Sequence, residues 1–222
     1  MKRIAVFGAA GSVGRCVVKE ALDRGHEVTA VVRNPQRAAG LPGLAIPAFA
    51  EASDGTAIRA VLRHQDVAVM ALRPPAGREA ELVGYTRTLL DAALETGVPA
   101  VVVGGAASLR FPDQPAWTVL TRPGFLPDAV RPIAQACHAQ RQAVLSEGGD
   151  GWSHICPPAS LEPGRREQRA RLPREGRVAA KRGLDHGEHP LLVLRTKALG
   201  VAHVEAGEAL PELARRVRVA QA

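Results

Sequence analysis

The sequence predicts an α/β fold: a doubly wound parallel sheet with strand order 3-2-1-4-5-6 and a loosely defined C-terminal extension. Three observations carry that expectation. Apolar β-type runs alternate with amphipathic helical segments from residue 4 to residue 156. Such alternation covers a parallel sheet with helices on both faces. The first strand, Ile4–Phe7, runs straight into glycines spaced Gly8-x-x-Gly11-x-x-Gly14, and a helical segment, Ser12–Arg24, follows at once. Right-handed crossovers and a glycine turn after strand one then give the strand order named.

The elements follow in turn. A second strand is expected over His26–Val32, where Val28, Val31 and Val32 supply β-branched bulk. Leu44–Phe49 is a shorter third strand and Thr56–Arg63 a short helix. Val67–Leu72 is the fourth strand, stopped by Pro74 and Pro75. A long helix over Glu79–Thr96 places Leu82, Tyr85, Leu89, Leu90 and Ala93 on one face at helical spacing. Val101–Val103 is apolar throughout, as a central strand is. Ala129–Ser146 reads as the next helix and Trp152–Cys156 as the sixth strand.

Beyond Trp152 the character changes, because all seven aromatic residues lie at or before it. Residues 163–190, rich in Arg, Gly and Pro, read as loop or loosely packed extension. Leu191–Leu194 reads as a late strand and Glu205–Val217 as a final amphipathic helix. At 222 residues the chain is most economically one domain, 1–222, with 163–222 a less regular substrate-side extension.

Composition narrows the function classes. Hydrophobic residues make up 46% and charged residues 23%, as in globular proteins, and no apolar run reaches transmembrane length. Met1-Lys2-Arg3 leads into a strand and not into a secretory apolar segment, so a cytoplasmic location is expected. Cys16, Cys137 and Cys156 are odd in number and show no Cys-x-x-Cys spacing, so neither a disulfide framework nor a metal site is expected. Residues 1–163 carry 16 basic and 15 acidic side chains, against 13 and 7 over 164–222. That asymmetry fits a solvated arginine-rich surface, since no aromatics are interleaved for stacking on nucleic-acid bases.

The glycine motif carries the chemistry. Gly8 permits the sharp turn, Gly11 lets a diphosphate approach the backbone, and Gly14 lets the helix lie close on the strand. The helix N-terminus then offers free N–H groups and a partial positive charge. Strand before and helix after are the context in which this spacing signals a dinucleotide site rather than a plain structural turn. NAD-selective folds place a carboxylate at the end of strand two, to hold the ribose 2′-hydroxyl. Here that place reads Val31-Val32-Arg33-Asn34-Pro35, with no acid. The guanidinium fork of Arg33 suits a 2′-phosphate, and Arg15 and Arg37 stand close in sequence to assist, so NADP(H) is favoured over NAD(H). A surface role for Arg33 is the alternative in so arginine-rich a chain. At the tip of strand four, backbone groups of Ala71 and Leu72 are expected to meet the ligand, since Pro74 and Pro75 have no N–H to give.

Some chemistry is excluded by what the chain lacks. Many short-chain dehydrogenases protonate a carbonyl with a tyrosine assisted by a lysine one helical turn later. The single tyrosine, Tyr85, has Leu89 at that position, and its spacing suits core packing. No Gly-x-Ser-x-Gly elbow occurs. What remains is hydride transfer to an acceptor that solvent can protonate, such as a flavin or quinone.

Two stretches resemble the atypical short-chain dehydrogenases: Gly8-Ala-Ala-Gly11-Ser-Val-Gly14-Arg15, and Gly25 through Val31-Val32-Arg33-Asn34-Pro35. Val101-Val102-Val103-Gly104-Gly105-Ala106-Ala107-Ser108-Leu109 is similar to the VVGGAGSL segment of the NAD(P)H-flavin reductase-like family. Trp152-Ser-His-Ile-Cys-Pro157-Pro158-Ala159 followed by Glu162-Pro163-Gly164 looks like its WTxxSPPA…EPGERTG segment. Relatives include biliverdin-IX-beta/flavin reductases and dinucleotide sensors of the nitrogen-metabolite-repression type. The resemblance covers residues 1–164 and implies a Rossmann-like fold, NADP(H) binding and reduction of a flavin, quinone or similar acceptor. A non-catalytic NADP(H) sensor is the alternative. Departures follow Gly164 and occur at 47–54, where the family's GDVTD is replaced by Pro47-Ala-Phe-Ala-Glu-Ala-Ser-Asp54.

The expected cofactor contacts are therefore Gly8, Ala10, Gly11, Ser12, Val13, Gly14 and Arg15 around the turn, and Arg33 and Asn34 at strand two. Ala71, Leu72, Gly104, Gly105 and Pro157 complete them at the later strand ends. Ser108 and His154 are the catalytic candidates. The Ser108 hydroxyl offers a bond either to the ligand or to its own turn. His154 offers either a proton or only a satisfied place inside strand six. His138 reads as a surface residue. The segment Phe111–Pro127 reads as a substrate lid or an apolar cover.

Overall fold

The computed structural model describes residues 1–111, 114–146, 151–157, 159 and 203–206. Six strands lie parallel in the order β3-β2-β1-β4-β5-β6, as the sequence predicts. They are β1 (Arg3–Phe7), β2 (Glu27–Val32), β3 (Ile46–Phe49), β4 (Val67–Met70), β5 (Ala100–Val103) and β6 (Trp152–Cys156). The helices are α1 (Ser12–Asp23), α2 (Pro35–Ala38), α3 (Gly55–Leu62), α4 (Glu81–Thr96) and α5 (Arg131–Ser146). A seventh strand, β7 (His203–Ala206), pairs antiparallel with β6. Among the described residues no helix is long and apolar enough to cross a membrane.

The core follows from strand alternation. Ile4 and Val6 point to one face with Val17 and Val18 of α1, while Ala5 and Phe7 point to the other with Ile58, Leu62, Leu82 and Leu89 of α3 and α4. Both faces are covered, so every residue of β4 is buried. Each fully buried Leu or Ile side chain removes enough apolar surface from water to contribute roughly 1.5–3 kcal/mol.

Boundaries differ from the sequence expectation for local reasons. β4 ends at Met70 and not Leu72, because the Ala71 N–H makes the last rung to the Phe7 carbonyl at 2.9 Å. The helix expected from Ala129 begins as a 3₁₀ turn, Asp128–Val130, and becomes α5 at Arg131. Pro132 suits that first turn, where an N–H would have no partner. α2 was not expected, although Asn34-Pro35 is a cap followed by a pre-set first residue: Asn34 Oδ1 accepts from the Arg37 N–H at 3.2 Å. Glu205 and Ala206, expected in a helix, belong to β7; a short segment fits either period equally well. The rest of that helix, the loop at 163–190 and the strand at 191–194 lie outside the described residues.

The β1–α1 turn is the tightest point. Gly8 has φ +80°, and a Cβ on it would stand 2.4 Å from the Ala71 carbonyl oxygen. A Cβ on Gly14 would stand 2.0 Å from the Gly8 carbonyl oxygen. Both contacts are with backbone, which cannot swing aside. Gly14→Ala is therefore expected to destabilise by about 2 kcal/mol or more. Gly84→Ala, on the exposed face of α4 with nothing within 4 Å, should instead stabilise by roughly 0.5–1 kcal/mol. Urea denaturation of the two variants reads both signs; a neutral Gly14→Ala would contradict the packing described.

Candidate functional site

A groove of ≈ 650 Å³ runs across the C-terminal ends of β1, β2, β4 and β5. Its size suits a small-molecule site, and its position is where open α/β sheets bind ligands. One wall is the glycine turn: Gly8, Ala10, Gly11, Ser12 and Val13 border it. Gly11 caps α1 without a side-chain bond, and no acidic residue stands in the first turn. The opening N–H groups of α1 are thus left to an anion. Without Cβ atoms on Gly8 and Gly14 the backbone of β1, β4 and α1 closes into a tight turn, and Gly11, bare of a side chain, leaves the first N–H groups of α1 open toward the groove, so the residues present fit a diphosphate.

At the tip of β2, Arg33 and Arg37 are both exposed and border the groove. Ala71, Leu72 and Arg73 follow from β4, Gly104 and Gly105 from β5, and Pro157 from beyond β6. Of the residues singled out in the sequence, eleven thus reach the groove.

Five do not border it. Gly14 lies beneath the turn, as its packing requires. Arg15 turns away: its Nε donates to the Ala10 carbonyl at 3.0 Å and its Nη1 to that of Gly40 at 2.6 Å. It braces the turn against residues 39–40 and does not face a phosphate. Asn34 is spent on capping α2, and so holds Arg37. Ser108 sits on a 3₁₀ turn, Ala106–Ser108, just behind Ala106 and Ala107 of the lining, with Oγ 3.0 Å from His138 Nδ1 on α5. His138 is therefore half-buried and not the free surface residue expected.

Of the two places open to His154, the structure gives it the one inside strand six. It is fully buried, its Nδ1 is 3.6 Å from Cys156 Sγ, and a Cβ on Gly104 would stand 2.4 Å from its Nε2. A ring packed behind Gly104 supports the groove wall and is not presented to a ligand.

The inner half of the groove escaped the sequence reading. Leu82 and Tyr85 come from α4, and Ile133, Cys137 and Gln140 from α5. Val119 and Leu126 belong to the Phe111–Pro127 segment, which packs as a cover: the Phe111 and Phe125 rings meet edge to face at 4.9 Å and the Arg122 guanidinium lies 4.3 Å over Phe111. Burial pushes the Cys137 thiol up, so it stays protonated at neutral pH and is no nucleophile. Tyr85 donates its hydroxyl proton to Glu81, whose other oxygen accepts from Arg78 Nε at 2.6 Å. The bond to Glu81, with some burial, raises the phenol above its ordinary value; the bond to Arg78 holds the Glu81 carboxyl low.

This groove, on this strand order, defines a Rossmann-like dinucleotide-binding protein. The chain belongs to the NAD(P)H-binding family, whose profile matches residues 8–183. It is similar to the divinyl chlorophyllide a 8-vinyl-reductase of Oryza sativa subsp. indica, 31% identical over 194 residues; the match takes in 72% of this chain and only 48% of that relative. A solved structure from Bacteroides thetaiotaomicron, provisionally assigned as an epimerase, aligns with TM-score 0.67 and 28% identity over 81% of this chain and 78% of its own. Another from Streptococcus pneumoniae, provisionally assigned as an NADH-flavin reductase, aligns with TM-score 0.63 over 72% and 73% of the two chains; its 23% identity speaks to the fold alone. The chain is thus an NAD(P)H-binding protein with a Rossmann-like fold.

Because Tyr85 is the sole tyrosine, its titration is directly visible in phenolate absorbance. The midpoint is expected above pH 10, falling toward 10 in Glu81→Ala. A raised phenol favours the folded state below pH 10 and loses that contribution as pH rises through the folded value. An unshifted midpoint in the wild-type chain would contradict the Tyr85–Glu81 bond.

Proposed function

We propose that the protein is an NADPH-dependent reductase of the cytoplasm that delivers a hydride to a flavin, quinone or similar conjugated acceptor. The observation that carries this reading is the pair of exposed guanidinium groups, Arg33 and Arg37, bordering the groove at the tip of β2. NAD-selective folds hold a carboxylate there. Arg33 takes the 2′-phosphate, Arg37 assists on a helix fixed by Asn34, and Gly8, Gly11 and the first turn of α1 carry the diphosphate. The reduced nicotinamide supplies the hydride when bound.

The inner half supports a flat apolar acceptor. Leu82, Leu126 and Ile133 exclude water from it. The Tyr85 proton is engaged by Glu81, position 89 is leucine, and Cys137 stays protonated, so the wall offers no tyrosine–lysine acid. An acceptor whose reduced form solvent can protonate needs none. The Ser108–His138 pair, one residue behind the lining, braces the Ala106–Ser108 turn against α5. His154 keeps Gly104 in place. The vinyl reductase among the relatives supports reduction as the reaction class, and the epimerase-like neighbour shares the sheet that hosts both chemistries.

Arg33→Ala should weaken NADPH binding by about 10- to 100-fold, the loss of a charge-assisted bond, and change NADH binding less than about threefold. Equal losses would remove Arg33 from the selectivity. NADPH oxidation followed with FMN, FAD and menadione tests the activity. Turnover with one of them is expected; tight NADPH binding without turnover on any would make the protein a non-catalytic NADP(H) sensor.

A further inference from the structure

Among the described residues that border the groove, three are arginines, Arg33, Arg37 and Arg73, against one carboxylate, Glu51. Arg33 and Arg37 stand at the tip of β2. Arg73 stands apart from them at the tip of β4, beyond Ala71 and Leu72. It is exposed, and among the described residues it makes no hydrogen bond or ion pair. Other arginines on this side of the chain do: Arg78 is held by Glu81, and Arg59 lies 3.4 Å from Glu95. Nor does Arg73 hang on a free loop. Buried Pro74 follows it, and a residue before proline is confined to extended backbone. The guanidinium thus swings from a fixed stem.

Its charge acts on the inner half of the groove. Burial raises the Cys137 thiol, and the one charge that opposes burial there is Arg73. A Cβ on Gly105 would stand 2.8 Å from Cys137 Sγ, which places that thiol at the end of β5. Glu51 does not answer the Arg73 charge; its field falls on Arg78 and Tyr85. The dinucleotide has its own anion seats, the open N–H groups of α1 for the diphosphate and Arg33 with Arg37 for the 2′-phosphate. Arg73 is left as a cation without an anion, beside the space that takes the acceptor. A guanidinium fork suits an oxyanion: phosphate, carboxylate or sulfonate.

We propose that Arg73 binds an oxyanion carried by the acceptor, so that the preferred acceptor is a flat apolar ring bearing one negatively charged group. The ring lies against Leu126 and Ile133, and its anion reaches back to the rim at the tip of β4. This assignment rests on the reductase reading given above. It makes Arg73 a specificity-determining residue for the acceptor and gives it no part in holding the dinucleotide.

The test titrates the full chain, saturated with NADP⁺, with two pairs of probes by calorimetry. FMN and riboflavin share a ring and differ by a phosphate; 1,4-naphthoquinone-2-sulfonate and menadione differ by a sulfonate against a methyl. The wild-type chain should bind the charged member of each pair about 10-fold more tightly. Arg73→Gln should bring each pair within about twofold by weakening the charged member alone, with NADP⁺ binding unchanged. Arg73→Lys, which keeps the charge and loses the fork, should retain part of the preference. No preference in the wild-type chain, or an undiminished one in Arg73→Gln, would overturn the proposal; NADPH oxidation by menadione would then leave the reductase reading standing. Weakened NADP⁺ binding in Arg73→Gln would assign the guanidinium to the diphosphate and overturn the proposal equally. Charge-selective binding with no NADPH oxidation by any of the four would sink the reductase reading and leave the oxyanion site standing. Failure of all four to bind would overturn both.

Discussion

The structure turns on one backbone contact, the Gly8 carbonyl lying against Gly14 while Gly8 itself lies against the Ala71 carbonyl. Missing Cβ atoms let β1, β4 and the first turn of α1 meet at distances no other residue allows. The same closeness that seals the sheet aims the open N–H groups of α1 into the groove. Fold and site are therefore one constraint: a chain that could not make this turn would lose both the helix packing and the anion cradle. Arg15 reinforces it from outside by tying Ala10 to Gly40, which keeps the turn fixed relative to the segment after β2.

The strands and long helices were legible because burial imposes periodicity. β6 spans the residues expected, Trp152–Cys156, and the apolar spacing of Leu82, Leu89 and Leu90 marks the buried face of α4. Short elements were not legible. α2 rests on a single cap at Asn34, and β7 is four residues whose pairing with β6 arises from contact distant in sequence.

The site divides along the same line. The half that contacts the β1–α1 turn and the tip of β2 is written in contiguous motifs, so Gly8, Gly11 and Arg33 could be found by spacing alone. The inner half is assembled from α4 and α5, some fifty residues apart in sequence (Thr86 and Gln140), and no local pattern announces it. Tyr85 shows why: helical spacing marks a side chain that faces inward, and it does not distinguish a packed core from a groove wall. His154 shows the converse, a polar residue in a matched segment that the sheet buries completely. Relatives assigned to a vinyl reduction and to an epimerisation share this frame. The frame alone therefore does not choose the chemistry, which rests on the side chains set around it.

Direct titration of the full chain with NADPH and with NADH tests the central claim most simply. The account predicts saturable binding of NADPH within the usual micromolar to millimolar range, with NADH at least about tenfold weaker. No association of either nucleotide at about 1 mM would contradict it.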